Sequence, residues 1–117
     1  DYLAAMEGRT ALCSQLRSFF EEFDLLLTPS LAVPAFDVGQ LQPPGSVPDD
    51  TYWMDWTPFT FPFNLSQQPA CSIPCGFTQD GLPVGLQIVA DNFREDLVLR
   101  AARAFEAIRL IDRRPDL

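Results

Sequence analysis

Two kinds of residue with possible chemistry lie close together in the stretch FNLSQQPACSIPCGF, residues 63–77. Cys71 and Cys75 are four positions apart, a spacing that a metal site or a redox pair can use. In an extended strand that spacing covers about 13 Å, whereas the Cα atoms of a disulfide lie within about 7 Å. Zinc requires further ligands, and Cys13 is the one other thiol in a chain without histidine. We therefore interpret both cysteines as packing residues of a buried strand.

Polar side chains directly precede this strand, namely Asn64, Ser66, Gln67 and Gln68. Unsatisfied amides at a buried position would cost about 1–3 kcal/mol each, so these groups need partners. In one interpretation they cap a short helix over residues 61–65 and satisfy loop backbone. In the other, some of them line a pocket at the strand entrance and orient a polar substrate. Gln87 has the same two interpretations, and we favour the structural one for it.

The ionisable residues exclude several mechanisms. All eight positive charges are arginine, and the chain has neither lysine nor histidine. A Ser-His-Asp triad, a Schiff-base enzyme and a phosphate-binding Walker loop each need one of the missing residues. The net charge of −8 argues against a nucleic-acid partner. No apolar run approaches the ~18 residues of a membrane helix, so we expect no membrane partner either.

Hydrophobic periodicity predicts one α/β domain within the 117 residues. The predicted elements are helix 2–23, strand 25–28, a long loop 29–57, strands 70–77 and 84–90, and helix 94–109. Asn92 and Glu95 have the spacing of a capping box at the start of the last helix. The strand VGLQIVA is apolar at almost every position, which predicts that it is covered on both faces.

The long loop is rich in proline and glycine, yet it carries the aromatic residues Phe36, Tyr52, Trp53 and Trp56. Connections in compact domains usually have about 4–6 residues. Such a loop is expected to lie across a surface that holds it. That surface, and the second face of the strands, are expected to belong to a part of the protein outside these residues.

The order of several short motifs resembles the C-terminal end of the amidase signature family. The stretches are FDLLLTPSLAVPAF, TFPFNLSQQPACSIPCGF and GLPVGLQIVADNFREDLVLRAARAFE. The family pattern is Thr-x-Pro-x-Asn-x-x-Gly-x-Pro-Ala, then a Ser-x-Pro strand, then Pro-x-Gly-Leu-Gln before a terminal helix. The matching positions are Thr60, Pro62, Asn64, Pro69, Ala70, Ser72, Pro74, Pro83, Gly85, Leu86 and Gln87.

The resemblance implies a central mixed β-sheet covered by helices and the hydrolysis of a carboxamide by a serine nucleophile. The family's lysine and two serines lie in the N-terminal half of much longer proteins, so this chain is expected to contain no catalytic residue. Its implied contribution is core sheet and part of the substrate pocket. Family chemistry uses no cofactor, and a cytoplasmic location is implied.

Asn64, Gln68, Trp56 and Phe59 are the candidate substrate-binding residues. The aromatic residues Trp53, Trp56, Phe59 and Phe61 indicate an apolar or aromatic amide, with ordinary packing as the equal alternative. Gln67 stands where the family usually has glycine, which predicts a reshaped turn before the strand. Thr57 stands where the glutamine-hydrolysing subunits of tRNA amidotransferases tend to carry an acidic residue, which favours a general amidase.

Two alternatives to a general amidase remain. One is the glutamine-hydrolysing A subunit of a tRNA amidotransferase; the other is a stand-alone binding module without catalysis. The chain opens inside a helical pattern without an initiator methionine, so we expect a fragment or processed piece. The expected partners of the amidase are a small-molecule amide and the N-terminal part of the parent enzyme. The isolated chain is expected to self-associate.

Overall fold

The computed structural model describes residues 1–46, 56–109 and 111. The elements in chain order are α1 (Tyr2–Glu22), β1 (Leu26–Pro29), α2 (Phe61–Ser66), β2 (Ala70–Phe77), β3 (Pro83–Val89) and α3 (Glu95–Ile108). The α/β class is confirmed. Both long helices and all three strands are present, and their ends differ from the predicted ones by at most one residue.

The three strands form one antiparallel sheet in the order β1-β3-β2. β2 and β3 are a hairpin, because Thr78 donates its backbone N–H to the carbonyl of Leu82 (2.8 Å) and Gly81 takes a φ of 83° in the turn. The central row of the sheet joins Thr28, Gln87 and Ser72. Strand β3 therefore has neighbours on both sides, while β1 and β2 are edge strands among the described residues.

Helix α3 covers one face of the sheet. Its buried Val98 belongs to a cluster with Ile73, Ile88 and Ala90 from the strand region. Glu95 and Asp96 occupy its first turn, where negative charge is favourable. The predicted capping box is wrong, since the N-cap residue is Arg94 and no side chain caps the helix.

The opposite face carries Gln87, because successive side chains of a strand alternate between faces. Ile88, Val89 and Ala90 are 1%, 0% and 0% exposed, so consecutive residues of both orientations are buried there. The prediction of two-sided cover is confirmed for this half of β3. It does not hold at the other end of the strand, where Val84 is 38% exposed.

Helix α1 begins at its N-cap Asp1, whose carboxylate accepts the N–H of Leu3 (3.1 Å). The helix contacts α2, and Arg9 Nε donates to the carbonyl of Leu65 (2.7 Å). None of its side chains is buried, and Tyr2 and Leu3 are 75% and 69% exposed. Its apolar residues are thus at most half-buried. Within the described ranges, no helix has the length and apolar composition to cross a membrane.

The long loop runs from the end of β1 to the start of α2, and part of it folds back on itself. Ala32 donates its N–H to the carbonyl of Trp56 (3.3 Å), and the rings of Phe36 and Trp56 meet edge to face at 5.3 Å. Tyr52 and Trp53, which the sequence also places in this loop, lie outside the described residues.

Candidate functional site

A groove of about 560 Å³ lies between the start of the long loop and the β2–β3 hairpin. Residues 30–35 line it from the loop, and residues 72–74 and 83–85 line it from the hairpin. Ser30, Ser72 and Gly85 lie at the sheet side of the groove. None of the lining residues is ionisable. The groove is therefore an apolar cleft with two hydroxyl groups.

The two hydroxyl groups are bonded to each other across the sheet. Ser30 follows β1 and continues its pairing, because its N–H donates to the carbonyl of Gly85 (2.9 Å). The Oγ atoms of Ser30 and Ser72 are 2.6 Å apart. A Cβ at Gly85 would lie 2.6 Å from Ser30 Oγ and 2.8 Å from Ser72 Oγ, closer than real Cβ atoms approach. Glycine at position 85 is thus what allows the hydroxyl pair to form.

A second polar cluster joins the end of α2 to the loop before α3. The Ser66 hydroxyl donates to the carbonyl of Pro62 (2.6 Å) and also contacts Oε1 of Gln68. Gln68 Nε2 donates to Oδ1 of Asn92 (3.1 Å), and Asn92 Nδ2 donates to the carbonyl of Gln67 (3.2 Å). The cluster closes on itself, so Asn92 holds the α2 terminus instead of capping α3.

Gln67 ends α2 in the left-handed conformation, with φ 66° and ψ 26°. Glycine is the usual residue there, because a Cβ in this region costs about 1–2 kcal/mol. The expected reshaping of the turn is therefore not what the structure shows: Gln67 keeps a glycine-like conformation, and the Asn92 amide binds its carbonyl. This position carries backbone strain that glycine would relieve.

Gln67→Gly is expected to leave the melting temperature of the complete protein unchanged or raise it, while Gln67→Val lowers it, because a β-branched side chain fits positive φ poorly. Differential scanning calorimetry of both variants measures the ranking. The same two changes at Gln40, which is exposed and not among the positive-φ residues, serve as the control. A glycine variant that melts below the valine variant at position 67 contradicts the expectation.

The four candidate substrate-binding residues lie outside the lining of the groove. Gln68 is 9% exposed and bonded within the polar cluster, whereas Asn64 is exposed and its side chain makes no hydrogen bond among the described residues. Trp56 is half-buried, and its indole N–H has no partner in the described part of the chain. Phe59 is half-buried, and its carbonyl accepts a hydrogen bond from Gln87.

The structural interpretation of the polar stretch is supported at several positions. The expected short helix is present as α2. Ser66 and Gln68 bond locally, and buried Gln87 donates through Nε2 to Thr28 Oγ1 (2.9 Å) and to the carbonyl of Phe59 (2.7 Å). The structural role favoured for Gln87 is confirmed.

All three cysteines are unpaired. Cys75 is the extra residue of a β-bulge between Pro74 and Gly76, and its thiol donates to the carbonyl of Val84 (3.4 Å). Burial, reinforced by the charge of Glu106, raises the pKa of the Cys71 thiol. A raised pKa leaves less thiolate, which is the reactive form. Among the described residues, no cluster of ligands could hold a metal ion.

Sequence reasoning missed the pairing of Ser30 with Ser72 and the role of Asn92. Ser72 and Gly85 were visible as motif positions, but the strand register that brings Ser30 to them was not. For Asn92, the three-residue spacing to Glu95 wrongly predicted a capping box. The one useful signal was the run of polar residues before β2, since each of them needed a distant partner.

The model of the family described as Amidase matches residues 1–99. Among curated relatives, the A subunit of the glutamyl-tRNA(Gln) amidotransferase of Myxococcus xanthus is 44% identical over 106 residues, 90% of this chain and 21% of the relative. The acylamidase of Rhodococcus erythropolis is 43% identical over 96 residues, 79% of this chain and 20% of the relative. The chain thus spans about a fifth of the length of these relatives.

Solved structures give the same family. The A subunit of the glutamyl-tRNA(Gln) amidotransferase of Thermotoga maritima matches with a TM-score of 0.81 at 34% identity, over 96% of this chain and 23% of that one. A 6-aminohexanoate cyclic dimer hydrolase matches with a TM-score of 0.81 at 32% identity, over 98% of this chain and 26% of that one. The resemblance read from the ordered motifs is confirmed: the chain belongs to the amidase signature family.

Proposed function

We propose that the complete protein hydrolyses a carboxamide to a carboxylate and ammonia, with a serine nucleophile N-terminal to this chain. The observation that carries the proposal is the family match over residues 1–99. The absence of lysine and histidine fits a division in which the nucleophile and its base come from elsewhere. This chain then contributes core sheet and part of the substrate pocket. A cytoplasmic location is proposed with it, and three unpaired thiols are consistent with a reducing compartment.

The complete protein tests this proposal. Incubated with a panel of small aliphatic and aromatic amides, it is expected to release ammonia in proportion to enzyme concentration. If covalent modification of an activated serine abolishes that release, the activity depends on a serine nucleophile. A complete protein that releases no ammonia from any amide of the panel would refute the proposal.

A second candidate is the glutamine-hydrolysing component of a tRNA amidotransferase. It is favoured by the identity of 44% to a relative of that name, over 90% of this chain. Thr57 argues for the general amidase, because an uncharged side chain cannot pair with the ammonium group of glutamine. Glutamine and pentanamide, which have the same number of carbon atoms, separate the candidates: the amidotransferase component prefers glutamine and the general amidase prefers pentanamide.

We also propose that Asn64 and Gln68 contact the substrate at the mouth of the acyl-binding pocket. In the complete protein, Asn64→Ala is expected to lower kcat/KM about tenfold with an unchanged melting temperature, because the exposed side chain makes no hydrogen bond to the described part of the chain. Gln68→Ala is expected to lower both quantities, since it also leaves polar partners unpaired, at about 1–3 kcal/mol.

Asn92→Ala is the matched control for Gln68→Ala, because it breaks the same polar cluster from its other end. Kinetics with glutamine and with pentanamide, together with melting curves, give the comparison. If the two variants lose equal activity and equal stability, Gln68 acts only through the fold. A larger loss of kcat/KM in Gln68→Ala supports direct contact with substrate.

A further inference from the structure

The polar cluster around Gln68 is a single chain of contacts that begins and ends at a backbone carbonyl. Its groups, in order, are the Pro62 carbonyl, the Ser66 hydroxyl, the carboxamides of Gln68 and Asn92, and the Gln67 carbonyl. A backbone carbonyl only accepts hydrogen bonds, and each of the three side chains in the chain donates toward one neighbour. The chain has four contacts but three donors, so one contact has no proton.

The contact without a proton lies at Ser66. Its hydroxyl has one proton and two acceptors, the carbonyl of Pro62 at 2.6 Å and Oε1 of Gln68. Ser66 and Gln68 are 7% and 9% exposed, so water has little access to supply a further proton. This end of the chain would be satisfied if the Gln68 carboxamide were reversed. Nε2 of Gln68 could then donate to Ser66 while Ser66 donates to Pro62.

Asn92 holds Gln68 against that reversal. Nδ2 of Asn92 donates to the Gln67 carbonyl (3.2 Å), which leaves Oδ1 facing Gln68. Oδ1 only accepts, so it requires the Nε2 end of the Gln68 carboxamide, at 3.1 Å. Nε2 has a second proton, and no acceptor for it lies among the described residues. The Asn92 side chain therefore determines whether Gln68 offers a proton or an oxygen to a ligand.

We infer that Asn92 is a positioning residue, which fixes the Gln68 carboxamide so that its second Nε2 proton is donated to an oxygen of the substrate. This role rests on the proposed contact of Gln68 with substrate. It assigns the contact to one atom of Gln68 and makes the ligand atom a hydrogen-bond acceptor, such as an amide carbonyl oxygen. Without Asn92, Gln68 reverses and places its own oxygen against the substrate oxygen.

The test uses kinetics of the complete protein with glutamine and with pentanamide, which both carry an amide carbonyl oxygen. Asn92→Ala is expected to raise KM about fivefold, because the reversed Gln68 donates no proton to that oxygen. Adding Ser66→Ala removes the group that favours the reversed orientation, and KM is expected to return to within about twofold of the wild type. Adding Thr78→Ala instead removes a hydrogen-bonding side chain of the β2–β3 turn, and KM is expected to stay raised.

A purely structural Asn92 gives the opposite result for the second change. Ser66→Ala would then take one more hydrogen bond from the cluster, so the double variant would be no better than Asn92→Ala. That outcome overturns the inference, as does an unchanged KM in Asn92→Ala. Ser66→Ala alone is expected to leave KM unchanged, because Asn92 still fixes the orientation of Gln68. All variants are compared at a temperature at which their melting curves show them folded.

Binding separates this inference from the proposed function. If the complete protein hydrolyses neither amide, the proposed function fails, and saturation-transfer NMR with pentanamide then decides the role of Asn92. A transfer signal that Asn92→Ala weakens, that added Ser66→Ala restores and that added Thr78→Ala does not restore supports the inference. Any other pattern, including no signal at all, overturns it.

Discussion

Purified alone at low micromolar concentration, residues 1–117 are expected to sediment as oligomers or aggregates and to melt without a cooperative transition. The accessible surface of the chain is 8868 Å², whereas a compact protein of 13.1 kDa exposes about 6,400 Å². The radius of gyration is 16.5 Å against about 13 Å expected, and the shortest extent is only 19 Å. The chain is a slab with too much surface for its mass.

The excess surface is large on the scale of protein stability. It amounts to roughly 2,500 Å², and if half of it is apolar, covering it is worth on the order of 30 kcal/mol at ~25 cal/mol per Å². That is more than the whole stability of an ordinary domain, about 5–15 kcal/mol. The exposed groups include Leu27 at 57% on the edge strand β1 and Leu3 at 69% on α1. Edges of such strands pair readily with other chains.

Analytical ultracentrifugation combined with calorimetry decides this prediction. Leu27→Lys should shift the distribution toward smaller species, because a charge on an edge strand opposes pairing. Leu99→Lys, a similarly exposed change on α3, controls for the added charge alone. A single compact 13 kDa species with a cooperative melt would refute the prediction and restore the stand-alone binding module.

The second large effect concerns catalysis by the isolated chain, which is expected to release no ammonia from any amide. A serine hydroxyl needs a base to become a nucleophile; this chain has neither lysine nor histidine, and no ionisable residue lines the groove beside Ser30 and Ser72. The Ser30–Ser72 pair does not provide one, since each hydroxyl has only the other as its partner among the described residues. Binding residues without a nucleophile leave only the uncatalysed rate.

The measurement compares ammonia release from the amide panel by the isolated chain and by the complete protein at equal molar concentration. Ser72→Ala in the isolated chain controls for trace activity, because it removes the exposed member of the hydroxyl pair. Release that scales with the isolated chain and falls in Ser72→Ala would show that the pair is itself a nucleophile. The proposal that the nucleophile lies N-terminal to this chain would then be wrong.

The elements were predictable because their signals are local. The apolar stripe of α3, the turn at Gly81 and the proline-rich break after β1 each lie within one short window of sequence. The ends of the predicted helices and strands lie within one residue of the observed ends. The order of the motifs also allowed the family to be predicted from the sequence. Two-sided burial of the C-terminal half of β3 followed from its lack of alternation, and the structural role of Gln87 followed from the cost of leaving a buried amide unpaired.

The site was less predictable because it depends on contacts between distant segments. Ser30 meets Ser72 across 42 positions, and Gln68 meets Asn92 across 24. Neither pairing has a signal in a single sequence, since strand register is fixed by the whole sheet. The Asn92–Glu95 spacing satisfied the local rule for a capping box, but the amide of Asn92 is bonded to Gln67 and Gln68 instead. Tertiary contacts overrode the local preference there.

The pairing of β1 with β3 also determines when the sheet can form during synthesis. Thr28 and its partner Gln87 are 59 residues apart, and a ribosome adds about 5–20 residues per second. Strand β1 therefore waits roughly 3–12 s after it is made before its partner strand exists. During that interval the hairpin of β2 and β3 has still to form, so β1 cannot pair with β3 until the hairpin residues have been made.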